Sequence, residues 1–147
     1  MNKKTILVAD DDPDMRLSLQ VRLKAAQYEV IFAEDGVASI AETRKHRPDL
    51  ILLDLGLPAG DGFSVLENLR ANVGMSSIPV VILSGRDSST NRSRALKAGA
   101  KAFLQKPVDN ARLMSVIGQT LGDTERIRLP VVYDLDNPAL RTGPTAK

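Results

Sequence analysis

Four places in the sequence carry side chains able to do chemistry, and each follows an apolar run. "ILVADDD" ends in Asp10, Asp11 and Asp12, and "LILLD" ends in Asp54. "VVILSG" ends in Ser84 and Gly85, and "AFLQKP" runs into Lys106 and Pro107. Brought together, they would supply several acids, one hydroxyl and one ammonium. Clustered carboxylates repel and raise one another's pKa unless a cation relieves them. Two carboxylates, a carbonyl and waters suit octahedral Mg²⁺, which often also takes phosphate oxygens. A carboxylate can act as a nucleophile and form an aspartyl-phosphate. A metal and an ammonium would neutralise a transferring phosphoryl group, and a hydroxyl would hydrogen-bond it.

The elements that must position these residues are legible as a rhythm. Strands are expected at Thr5–Ala9, Glu29–Ala33, Leu50–Leu53, Pro79–Leu83 and Ala102–Leu104. Between them, helical spacing places Met15, Leu19 and Leu23 on one face, with Pro13 suited to the first turn. A second helix, Asp35–Lys45, should turn Val37, Ile40 and Ala41 inward, and a third, Gly62–Asn72, should bury Val65, Leu66 and Leu69. Ser89–Ala98 reads as a polar helix stopped by Gly99, and Asp109–Leu121 as a final helix. Continuous apolar strands mean that both sheet faces are covered. Right-handed crossovers then give an α/β, doubly wound parallel sheet. Such sheets bind ligands beyond the carboxyl ends of their strands, which is where Asp10, Asp54, Ser84 and Lys106 fall.

Composition narrows the function. The chain has 147 residues and a net charge of +2, too small to argue for nucleic acid or an anionic membrane. It has no Cys, so disulfides, zinc–thiolate sites and Cys nucleophiles are excluded, which fits a cytoplasmic protein. It has no Trp and few aromatics, hence no stacking platform for single strands. The opening "MNKKTILVADDD" is too short for a signal peptide or membrane span. Several residues have plainer readings: Asp12 before Pro13 as a helix cap, Asp61-Gly62 as turn chemistry and His46 as a solvent-facing turn residue. Arg92, Arg94 and Lys97 read as a solvated helix face, with partner docking the lesser alternative.

The motifs "ILVADDDPDMR", "LILLDLGLPAGDGF", "VVILSG" and "AGAKAFLQKP" together resemble the receiver domain (CheY-like) of bacterial two-component response regulators. The resemblance covers about 120 residues, the size of one small domain. It implies a flavodoxin-like (βα)5 sandwich with strand order 2-1-3-4-5. By the same resemblance, Asp54 is the phosphoacceptor and Asp10 and Asp11 are the acidic pair, with Asp11 the direct Mg²⁺ ligand and Asp10 acting through water. The Gly56 carbonyl is the remaining protein ligand, Lys106 pairs with the phosphate, and Lys106-Pro107 is a cis peptide. Ser84 and Phe103 are the switch pair, coupled to a face formed by the fourth helix, fifth strand and fifth helix. The implied partners are a sensor histidine kinase or histidine phosphotransfer protein and a downstream effector on that face, with a homodimer also open. No nucleic acid and no membrane are implied for this chain alone. Gly56 offers no side chain to block water, and Arg86 puts a cation near the phosphate; both positions are expected to tune dephosphorylation.

Residues 1–121 are therefore expected to be the receiver and 122–147 a tail or linker, too short for a helix-turn-helix reader. Leu129–Tyr133 within that tail is nonetheless apolar and β-prone. The expected protein catalyses only its own phosphorylation and dephosphorylation and is not a metabolic enzyme. Two alternatives stand beside it. A haloacid-dehalogenase-like phosphatase would use Asp10-x-Asp12, but Asp14 sits where that family wants Thr or Val. A receiver-like binding module independent of phosphate would not need the full acid, hydroxyl and lysine set.

Overall fold

The apolar runs become strands because their side chains have two covered faces to fill. In the computed structural model, which describes residues 3–59, 61–85 and 89–122, β1 (Thr5–Ala9), β2 (Glu29–Ala33), β3 (Leu50–Leu53), β4 (Val80–Ser84) and β5 (Ala102–Gln105) form one parallel sheet. Its order is β2-β1-β3-β4-β5. The expected strand ends extend by one residue at Ser84 and at Gln105. Arg86 and the tail beyond Gly122, with the expectations attached to them, lie outside the described residues.

The strand order makes the site. The chain leaves β1 toward β2, then crosses back to place β3 on the other side of β1. That reversal is the switch point at which doubly wound sheets open a crevice. Register holds it closely: Ala9 pairs with Leu53, so Asp10 and Asp54 are the next residues on adjacent strands. Backbone bonds continue past the strand ends, from Asp54 N–H to the Ala9 carbonyl and from Asp10 N–H to the Ala33 carbonyl, each 3.0 Å.

Connecting helices are α1 (Pro13–Ala25), α2 (Gly36–His46), α3 (Gly62–Ala71) and α4 (Ser89–Lys97). Asp12, Asp35 and Asp61 each cap the helix that follows by accepting a first-turn N–H. Leu19 and Leu23 of α1 are buried, as are Val65, Leu66 and Leu69 of α3, as their spacing predicts. Leu7, Ile51, Leu53, Val80 and Ile82 of the sheet join Leu66 and Leu69 in one core cluster. The chain divides into two units between Pro107 and Val108. The second contains α5 (Asn110–Leu121), capped by Asp109, with Leu113 and Ile117 buried.

One helix is rotated from its expected phase. In α2, Val37 is 69% exposed, Ala41 is exposed and Ile40 is half-buried, while Gly36, Ser39 and Thr43 are buried. The two hydroxyls bond their own helix: Ser39 Oγ donates to the Asp35 carbonyl at 2.8 Å and Thr43 Oγ1 to the Ser39 carbonyl at 2.7 Å. Satisfied in this way, small polar residues can occupy the inner face without an unpaired donor.

Candidate functional site

Beyond the β1 and β3 tips, the oxygens of Asp10, Asp11 and Asp54 come within 4.8 Å of one another. Asp10 is buried, Asp54 is half-buried and Asp11 is exposed. Lys106, just past β5, reaches across to them. Its Nζ lies 2.6 Å from Asp10 Oδ2 and 3.4 Å from Asp54 Oδ2. Its position is set from the backbone, where Lys106 N–H donates to the Ser84 carbonyl at 2.8 Å. The Lys106–Pro107 peptide is cis.

The electrostatics are those of a loaded cage. Burial by itself would lower the Lys106 pKa. The hydrogen bond to Asp10 and the charges of Asp54 and Asp10 outweigh it and hold the ammonium above its ordinary 10.5. Lys106 is therefore cationic throughout the neutral range. Three carboxylates gathered around one ammonium form an all-oxygen donor set, and a set of this kind fits a hard divalent cation.

Lys106→Met tests this balance. With a chelator present, the variant should lose roughly 2–4 kcal/mol of unfolding free energy, because Asp10 is left buried without its partner. Millimolar Mg²⁺ should return part of the loss. Urea denaturation with and without Mg²⁺ measures both; equal loss in the two conditions would contradict the shared-cation picture.

The other sequence-expected residues are placed as follows. Gly56 is exposed, and its N–H donates to Asp54 Oδ1 at 3.0 Å, fixing one carboxylate oxygen. Ser84 is fully buried at the end of β4. Phe103 is 2% exposed in β5, with the Arg92 guanidinium carbon 5.2 Å from its ring centroid. Asp12 does not join the cage but caps α1, as its place before Pro13 suggests, accepting from Asp14 N–H at 2.9 Å.

Two supporting residues escape sequence reasoning. Arg16 reaches back from α1 to donate to the Asp10 carbonyl at 2.8 Å, bracing the acidic turn. Gly62 opens α3 so close to the β3 exit that an added Cβ would lie 2.5 Å from Leu55 Cα and 2.7 Å from the Asp54 carbonyl oxygen. The Asp-Gly pair is thus a cap and a close approach, not only a turn. The sole signal for it in the sequence was the glycine itself.

A family model described as the response regulator receiver domain matches residues 6–118. The chain belongs to that family. This receiver is 39% identical over 102 residues to the transcriptional regulatory protein KdpE of Mycobacterium tuberculosis, covering 69% of this chain and 44% of that protein. It is 33% identical over 116 residues to protein PilH of Pseudomonas aeruginosa, covering 79% of this chain and 96% of PilH. Among solved structures, the receiver domain of the sensor histidine kinase PA1611 of Pseudomonas aeruginosa matches with TM-score 0.76 and 27% identity, over 82% of this chain and 99% of that one. That structure has a magnesium ion coordinated in its active-site cleft. The receiver spans less than half the length of KdpE. Receivers of this family are signalling parts of two-component systems, and their acidic clusters bind Mg²⁺. Among the described residues, no helix is long and apolar enough to cross a membrane.

Proposed function

We propose that this receiver accepts a phosphoryl group on Asp54 from a histidine kinase or histidine phosphotransfer protein and passes the change to a downstream partner. The observation that carries this reading is the meeting of Asp10, Asp11 and Asp54 with the Lys106 ammonium at the sheet's switch point. Asp10, Asp11, Asp54 and the Gly56 carbonyl would hold Mg²⁺, which supplies charge neutralisation on the phosphoryl oxygens.

The protein's own groups do the rest. An Asp54 carboxylate oxygen bonds to phosphorus as the bond to the donor imidazole nitrogen breaks, the electron pair leaving on that nitrogen. The Gly56 N–H holds Oδ1 while Oδ2 faces the lysine side of the cage. Lys106 moves its pairing from the carboxylate to the new phosphate, whose added negative charge it favours. Ser84 would donate its hydroxyl to the phosphate, and Phe103 would report the movement within β5. A ligand shifts such a pair of states only by its differential affinity for them, so the change is a population shift.

Labelling tests the reading. Incubation with an acyl phosphate or phosphoramidate donor should add one acid-stable, base- and hydroxylamine-labile phosphoryl group when Mg²⁺ is present, and essentially none with excess chelator. Metal-independent labelling, or a label stable to hydroxylamine, would overturn the proposal. The boundary at residue 121 is likewise proposed: a chain ending at Leu121 should label like the full chain, and failure of the shortened chain to fold would move that boundary.

A further inference from the structure

The helix α4 is anchored unlike the others. Of its nine residues only Ala95 is buried, and the sequence STNRSRALK contains no acid to pair with its cations. A helix this short is marginal by itself, and one that is polar nearly all round has little apolar surface to hold it down. Ala95 joins the core cluster, and polar side chains add to that single apolar anchor.

Two arginines supply these. Residues two apart on a helix leave it about 200° apart, so Arg92 and Arg94 extend from opposite flanks. The Arg92 guanidinium carbon lies 5.2 Å from the Phe103 ring centroid, and that of Arg94 lies 3.8 Å from the Phe63 centroid. Both distances are within cation–π range. Among the described residues neither guanidinium has an ion-pair partner. Both rings are themselves buried, Phe103 in β5 and Phe63 in α3.

We propose that Arg92 and Arg94 are positioning residues, a pair of clasps that dock α4 between β5 and α3 and tie it to the phosphoryl site. The ties are short on both sides. Phe103 lies three residues before Lys106 on the same strand exit. Phe63 follows Gly62, whose N–H donates to the Leu55 carbonyl at 3.0 Å and where an added Cβ would collide with the Asp54 carbonyl oxygen. A shift at either strand tip is thereby offered to α4 through a ring and a guanidinium, not through a broad apolar contact. A helix held by one buried alanine, Ala95, and by contacts as weak as these is one that a ligand can order or release.

Native-state hydrogen exchange on the full chain tests the clasps. Arg92→Met and Arg94→Met should each speed exchange of the α4 amides about two- to fivefold, the range of a cation–π contact at an exposed site. Together they should speed it about five- to thirtyfold if independent, while β1 and β3 amides keep their rates. The Arg→Lys variants keep a cation and should retain most of the protection. Unchanged α4 exchange in both Met variants, or equal acceleration by Lys and Met, overturns the clasps. The tie to the site rests on the reading of Asp54 as phosphoacceptor and is measured separately. Beryllofluoride with Mg²⁺, at ten times its Kd, should slow α4 exchange about tenfold. If beryllofluoride binds and α4 exchange does not change, the tie is wrong. If it does not bind at all, the phosphoacceptor reading falls while the clasp measurement stands.

Discussion

Asp54→Asn should abolish phosphoryl incorporation, lowering it by more than about a thousandfold, because an amide offers no anionic oxygen to attack phosphorus. The substitution keeps the side-chain volume, and its carbonyl oxygen can still accept the Gly56 N–H that now reaches Oδ1. The fold should therefore survive, with unfolding cooperativity unchanged. What changes is the cage: Lys106 keeps the 2.6 Å contact with Asp10 and loses its charged partner at 3.4 Å. Binding of beryllofluoride should disappear together with the label, since that mimic needs the carboxylate. Intact-mass measurement after incubation with an acyl phosphate, read beside the circular dichroism of the variant, separates lost chemistry from lost structure. Asp10→Asn discriminates the phosphatase alternative. Turnover of a phosphate ester that is lost in Asp10→Asn and kept in Asp54→Asn would place the nucleophile on β1.

Gly62→Ala should be severely destabilising, although helix propensity alone favours Ala over Gly by about 1 kcal/mol. Gly62 has no left-handed requirement; what it lacks is room. The new Cβ would meet two backbone atoms, Leu55 Cα at 2.5 Å and the Asp54 carbonyl oxygen at 2.7 Å. Neither can swing aside as a side chain would, so α3 or the β3 exit must move. Overpacking of a buried site costs roughly 1–3 kcal/mol, and a backbone clash lies at or above the upper end. The same movement displaces Asp54, the proposed phosphoacceptor, so a beryllofluoride affinity lower by about tenfold or more is expected. Gly74→Ala is the control: its nearest neighbours are the ends of Arg47 and Asn72 side chains at 3.4–3.6 Å, and it should change stability little. Urea midpoints for the two variants decide it. Equal, small effects would show that the β3–α3 connection yields more readily than its geometry indicates.

Much of this receiver was legible locally. The continuous apolar runs at residues 6–9, 50–53 and 80–83 announce strands covered on both faces, and observed burial agrees. Acids immediately after such runs are conspicuous because a charge at the end of a buried strand needs a reason. The rule that parallel sheets put chemistry at the carboxyl ends of their strands then gathers Asp10, Asp54, Ser84 and Lys106 to one rim. The α2 phase was not legible in this way. Val37 and Ala41 look like the inner face by hydropathy, yet Ser39 and Thr43 occupy it, because hydroxyls that bond the preceding turn behave as small satisfied groups.

The sequence by itself thus determined the alternation of strands and helices, the parallel sheet and which residues fall at the carboxyl ends of its strands, since these follow from signals a few residues long. Only the tertiary structure decided the contacts between distant segments. Lys106 finds Asp10 across 96 positions, Gly62 must vacate space for the Asp54 backbone, and Arg92 and Arg94 settle on Phe103 and Phe63. Side-chain type and local periodicity contain no information on such distances; these appear when the crossovers close and packed side chains leave each group one place to go.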